Sequence, residues 1–157
     1  MLRSGVQIPS RPYMALIHTI IGFIVLGITL EVFWTSILDS IKTKNPRLTG
    51  VSYLWMFPIY AVVPFIYISV LARFQNTSIF LKGIIYMLGF YVLEFISGYL
   101  IRKAVGVSPW DYKNHSIKLF GKKYKSSLDG FICLEYAPVW YLYGIIGEFY
   151  FLFLMGL

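Results

Sequence analysis

Four long stretches of this chain are almost free of charge, and the polar residues gather between them. The apolar stretches run about 15–33, 52–71, 79–101 and 130–157. A helix that crosses a bilayer needs roughly 20 mostly apolar residues, so each stretch is long enough. The fourth is longer than one span requires, and Pro138 is expected to divide a short lead-in, 131–136, from the span itself. The runs are continuous rather than alternating, which favours helices over a β-barrel. Inside lipid, a helix also satisfies its own backbone polar groups. The expected fold is therefore all-α: a polytopic membrane protein built as a bundle of four transmembrane helices.

The ends and connections refine this picture. Met1 to Tyr13 (MLRSGVQIPSRPY) has two arginines, two prolines and no sustained apolar run. Val6-Gln7-Ile8-Pro9 is what GTN-CAA-ATY-CCN would encode, which resembles the T-loop end of a transfer-RNA gene read through in frame. Residues 1–13 are thus expected to be a spurious or disordered leader, with Met14 as the start. Residues 14–157 then form a single transmembrane domain with one long loop, 102–129.

Composition agrees with lipid as the main solvent. The chain has 157 residues, of which 58% are hydrophobic and only 13% charged. Soluble domains carry about 25% charged residues, and a fold of this size could not hide so much apolar surface from water. The net charge of +7 is read as basic loops on the cytoplasmic face rather than as a nucleic-acid surface. Lys42, Lys44 and Arg47 follow the first span, and Arg102, Lys103, Lys113, Lys118, Lys122, Lys123 and Lys125 follow the third. These two loops are expected in the cytoplasm of a multi-pass cell-membrane protein, with both termini outside. The single Cys133 can form no internal disulfide. His18 and His115 are too far apart for metal-ligand spacing, so no metal site is expected, and the sequence leaves any cofactor unknown.

Carboxylates inside apolar spans are costly, and each is a candidate for function. Glu31, Glu94 and Glu135 all fall roughly 4–11 Å inside the expected cytoplasmic boundary at 1.5 Å per residue. They are expected to share one polar layer that binds a cation or a proton. Tyr91, Ser97 and Gly98 lie on the helix face of Glu94, and the small residues there would admit a neighbouring helix. Trp34 and Trp140 are supporting residues. Trp110-Asp111-Tyr112, in the long loop, would close the site from the cytoplasm. Glu148 is left without a role. Pro58 and Pro64 would free the carbonyls of Leu54 and Tyr60. The Lys-rich part of the loop, with Ile117, Phe120 and Tyr124 interleaved, reads equally as an interfacial element on anionic headgroups or as a solvated loop.

No GxxxxGK[ST] phosphate loop, GxSxG, HExxH or cysteine-pair signature occurs. A string of shorter motifs does. Glu31-Val32-Phe33-Trp34-Thr35-Ser36 is followed by Ser52-Tyr53-Leu54-Trp55-Met56-Phe57-Pro58-Ile59-Tyr60, and Leu93-Glu94-Phe95 leads to Gly98-Tyr99-Leu100. Trp110-Asp111-Tyr112 and Leu128-Asp129-Gly130-Phe131-Ile132-Cys133-Leu134 with Trp140 complete the series. In order and spacing this resembles the putative ABC-transporter type IV (CmpB-like) membrane proteins, apart from an enlarged stretch between Tyr112 and Leu128. The resemblance implies a small polytopic membrane protein and, if it transports, a partner ATPase or other membrane chain. Three functional readings follow. The first is a transport-related membrane component with a carboxylate-lined site. The second is a membrane-embedded enzyme acting on a lipid or amphipathic substrate, with Asp111 or a desolvated glutamate as general acid or base. The third is a non-catalytic assembly or sensor protein.

Overall fold

The computed structural model describes residues 12–119 and 122–157. The expected leader lies outside the described residues except for Pro12 and Tyr13, which open the first helix. Side chains 117–123 also lie outside them, and with them the expected roles of Ile117, Lys118, Phe120, Lys122 and Lys123.

Four helices are long and apolar enough to cross a membrane: α1 (Pro12–Thr43), α2 (Met56–Arg73), α3 (Ile79–Val105) and α4 (Ala137–Met155). Large apolar side chains such as Val25, Phe80, Leu88 and Phe153 are exposed on them. Water would penalise that surface heavily, whereas lipid accepts it. The all-α polytopic fold is thus the one the apolar runs dictate.

Element ends follow local chemistry. α1 continues past its apolar stretch to Thr43 because no glycine or proline interrupts it before Asn45-Pro46, and Lys42 sits favourably in its last turn. Ser78 caps α3 by accepting a hydrogen bond from the Leu81 N–H. Gly106, at φ 82°, ends α3 by returning its N–H to the Arg102 carbonyl. Pro58 falls in the first turn of α2, and the Leu54 carbonyl accepts from Phe57 N–H at 3.2 Å, so of these two prolines only Pro64 lies in the helix interior. Pro138 lies in the first turn of α4, preceded by a short 3-10 turn, Leu134–Tyr136.

The loop after α3 contains two hairpins. β1 (Ser116–Leu119) pairs antiparallel with β2 (Lys122–Lys125), and β3 (Ser127–Leu128) with β4 (Ile132–Cys133). Asp129 and Gly130 both have positive φ, 50° and 79°, as the tight Asp-Gly hairpin turn requires. Phe131 N–H closes the turn on the Leu128 carbonyl at 3.0 Å. The ladder begins with Leu128 facing Ile132, so Phe131 is the last residue of the connecting loop 129–131.

Two compact units divide the chain: Met1–Phe65 with Phe149–Leu157, and Ile66–Glu148. In the first, the Tyr60 ring lies over Gly27, where a Cβ would come within 2.4 Å of it. The segment after α1 folds back on that helix, with the Thr35 hydroxyl bonded to both the N–H and the carbonyl of Val51 at 3.0 Å. In the second, the rings of Tyr67 and Tyr86 meet at a tilt, 4.7 Å between centroids, facing Gly147 and Gly144 of α4.

Candidate functional site

The second unit gathers most of the expected site residues around the inner face of α3. Glu94 is 8% exposed. The Tyr112 hydroxyl and the Trp140 indole turn toward its carboxylate. Nevertheless, Glu94 Oε2 and Trp140 Nε1 close no hydrogen bond among the described residues. Burial and the negative charge of Glu94 push the Tyr112 hydroxyl well above its ordinary range, so Tyr112 remains a protonated donor.

The supporting residues divide by what they touch. Tyr91, on the same helix, donates to the Cys133 carbonyl at 3.3 Å and so ties α3 to β4. Ser97 returns its hydroxyl to the backbone carbonyls of Leu93, at 2.6 Å, and Glu94, at 3.2 Å, rather than to the Glu94 carboxylate. Gly98 admits a loop rather than a helix: a Cβ there would lie 2.8 Å from the Phe131 ring and 3.3 Å from Trp110. Trp110 in turn donates its indole N–H to the Phe131 carbonyl at 2.9 Å. Trp140 packs against Phe90 and Tyr143.

Asp111 faces outward. Its side chain is 56% exposed and paired with Lys113 Nζ at 3.4 Å. The Lys113 backbone N–H donates to it, with help from the Lys113 ammonium, and holds the carboxyl below its usual range. A carboxylate that stays ionised in this way is poorly suited to general acid chemistry near neutrality.

Glu31 belongs to the first unit. The Ser52 hydroxyl donates to its Oε2 at 2.7 Å, and the Tyr60 hydroxyl approaches the same oxygen at 3.5 Å. Trp34 is 45% exposed, one turn farther along α1. Glu135 lies in the 3-10 turn, where it accepts from the Ser126 hydroxyl at 2.7 Å and approaches His115 Nδ1 at 3.8 Å. Each glutamate thus has its own set of polar neighbours.

Two features were not legible as sites in the sequence. Lys82 and Glu148 form a buried ion pair, and the Tyr86 hydroxyl donates to Glu148 at 2.6 Å. A cavity of about 640 Å³ opens at the end of α3, lined by Phe95, Tyr99, Phe131, Arg102, Lys103, Lys113, Lys125 and the lone acid Asp129. Arg102 stacks over the Phe131 ring, 5.6 Å from its centroid. The Lys-rich loop and the double basic end of α3 were visible as charge, but their convergence on an aromatic wall depends on the hairpin fold.

The family profile described as "putative ABC-transporter type IV" matches residues 17–155, which take in most of α1, the other three helices and both hairpins. No solved structure matches the chain.

Proposed function

Because the chain belongs to the putative ABC-transporter type IV family, we propose that it is a transport-related membrane component in which Glu94 binds a proton or a small cation. The observation that carries this reading is a buried carboxylate with an unpartnered oxygen, facing the Tyr112 hydroxyl and the Trp140 indole. A buried carboxylate is stable only when its acceptors are filled, and an exchangeable cation fills them reversibly. No ion pair to Glu94 occurs among the described residues, so the position is not taken by a fixed lysine or arginine. Tyr112 supplies the cover from the loop side. Glu31, with Ser52 and Tyr60, offers a second carboxylate of the same kind in the other unit. With no phosphate-binding loop in this sequence, energy from ATP would come from a partner chain.

A hydrophobic carbodiimide tests the assignment directly. In lipid nanodiscs it should modify Glu94, read by peptide mass, and a transported cation should protect. In proteoliposomes containing a pH- or cation-sensitive dye, Glu94→Gln should keep its melting temperature and lose flux. Full flux in Glu94→Gln would overturn the reading.

A second reading has its own support. A cavity with four cationic residues and three aromatic rings suits an anionic amphipathic molecule, whose head would meet the cations and whose apolar part would meet the rings. A membrane-embedded enzyme or carrier for such a substrate would use this face, with Asp111 serving as an anchor for Lys113 rather than as an acid.

A further inference from the structure

Three side chains of different chemistry converge beside the β3–β4 hairpin. Cys133 Sγ lies 3.6 Å from His115 Nδ1, and Glu135 Oε2 lies 3.8 Å from the same nitrogen. All three ligand-capable atoms fall within 4.8 Å of one another. We propose that His115, Cys133 and Glu135 form a binding site for a divalent transition metal of the zinc class, with a fourth coordination position open.

The geometry separates this from the nearest alternative, a Cys–His–Glu catalytic triad. A triad needs the thiol on one imidazole nitrogen and the carboxylate on the other, so that a proton can pass through the ring. Here the thiol and the carboxylate face the same nitrogen, Nδ1. Groups that converge on a common point rather than line up in series suit a cation placed between them. Tetrahedral zinc, with bonds of about 2.0–2.3 Å, sets neighbouring N and S ligand atoms about 3.6 Å apart and N and O atoms about 3.4 Å apart. The two separations from His115 Nδ1 already fit, and the thiol and carboxylate, within 4.8 Å of each other, would close to about 3.6 Å on the metal. Thiolate, imidazole and carboxylate together match zinc chemistry better than that of magnesium or calcium, which prefer oxygen alone.

The surroundings are built to hold such a tripod. The Ser126 hydroxyl donates to Glu135 Oε1, leaving Oε2 turned to His115. That is how an outer hydrogen bond orients a ligating carboxylate. The backbone ties the three ligands together: Ser126 N–H donates to the His115 carbonyl at 3.2 Å, and Leu134 N–H to the Ser126 carbonyl at 2.9 Å. Cys133 is fully buried while Glu135 is exposed, so the site is protected on the sulfur side and reachable from the carboxylate side. Binding would replace the thiol proton by the metal, releasing one proton to solvent. The open position would take water or a substrate donor atom.

Zinc and cobalt ions are the probes, with the full chain in lipid nanodiscs stripped of metal by a chelator. One equivalent of Co²⁺ should give a thiolate-to-cobalt charge-transfer band and intense visible bands of tetrahedral character, and Zn²⁺ should abolish both by displacement. Cys133→Ser should lose the charge-transfer band. His115→Gln and Glu135→Gln should each weaken Zn²⁺ binding at least tenfold, and Ser126→Ala, which leaves all three ligands in place, should weaken it about 10- to 100-fold. Helical circular dichroism of each variant, equal to that of the parent, establishes that the loss is of ligands rather than of fold. Octahedral cobalt spectra, absence of the charge-transfer band in the parent chain, or equal zinc affinity in parent, His115→Gln and Glu135→Gln would each overturn the site.

Discussion

Lys82 on α3 and Glu148 on α4 form an ion pair whose two side chains are each more than nine-tenths buried. Tyr86 adds a hydroxyl donor to the second carboxylate oxygen, so both oxygens of Glu148 are engaged. The pair joins residues 66 positions apart and so links α3 to α4. Breaking such a pair exposes its cost: one uncompensated charge remains where water cannot reach it. Lys82→Met alone or Glu148→Leu alone should lower stability by about 3–5 kcal/mol. The double replacement should recover most of that loss, because it removes both charges together. Thermal unfolding of the three variants in nanodiscs checks this, and equal losses in the single and double variants would refute the pairing.

Gly130 carries a second test, on the hairpin that holds Cys133. Its φ of 79° is unfavourable for any residue with a Cβ, and an added Cβ would lie 2.8 Å from Asp111 Oδ1. Gly130→Ala should cost about 1–2 kcal/mol from the backbone conformation alone. Lower melting temperature is the direct readout, and a variant as stable as the parent would mean that the turn takes another form.

The cationic cavity predicts a preference among lipids. Arg102→Gln with Lys103→Gln removes two of its four cationic residues, and each surface cation contributes about 1 kcal/mol toward an anionic membrane. Native mass spectrometry should find fewer retained anionic lipids on the double variant, with neutral lipids unaffected. Retention of both classes to the parent extent would remove the cavity as their site.

Orientation is testable without touching Cys133. If the basic loops face the cytoplasm, alkaline phosphatase joined after Leu157 should be active in a bacterial host, and green fluorescent protein joined there should be dark. The opposite pattern would invert the topology and place Glu135 near the outer leaflet.

The sequence made the membrane character plain, and the residues explain why. Lipid demands long continuous apolar runs, so Ile79 to Ile101 reads as a span with no knowledge of its neighbours. The strands were hidden because Ser116–Leu119 and Lys122–Lys125 become a hairpin only by pairing with each other, and a lysine-rich segment has weak strand preference of its own. Glu94 was legible as a costly carboxylate, but not the turn of Tyr112 and Trp140 toward it. His115 and Cys133 stand 18 residues apart, a separation that suggests no ligand spacing until the β3–β4 turn folds the chain back. Gly98 shows the same limit: a small residue in a span predicts close approach, but not that the approaching group is the Phe131 ring.

That ring has a mechanical consequence. Phe131 is 5% exposed, wedged edge-on against Phe95 and Tyr99, with the Arg102 guanidinium stacked over it. Three successive turns of α3 therefore grip one residue of the hairpin, like teeth on a single cog. A helix that turned about its axis would have to carry the hairpin along, and Cys133 with it. Torque in the span would be delivered as displacement in the loop, and a ligand that stiffened the hairpin would brake the helix in return.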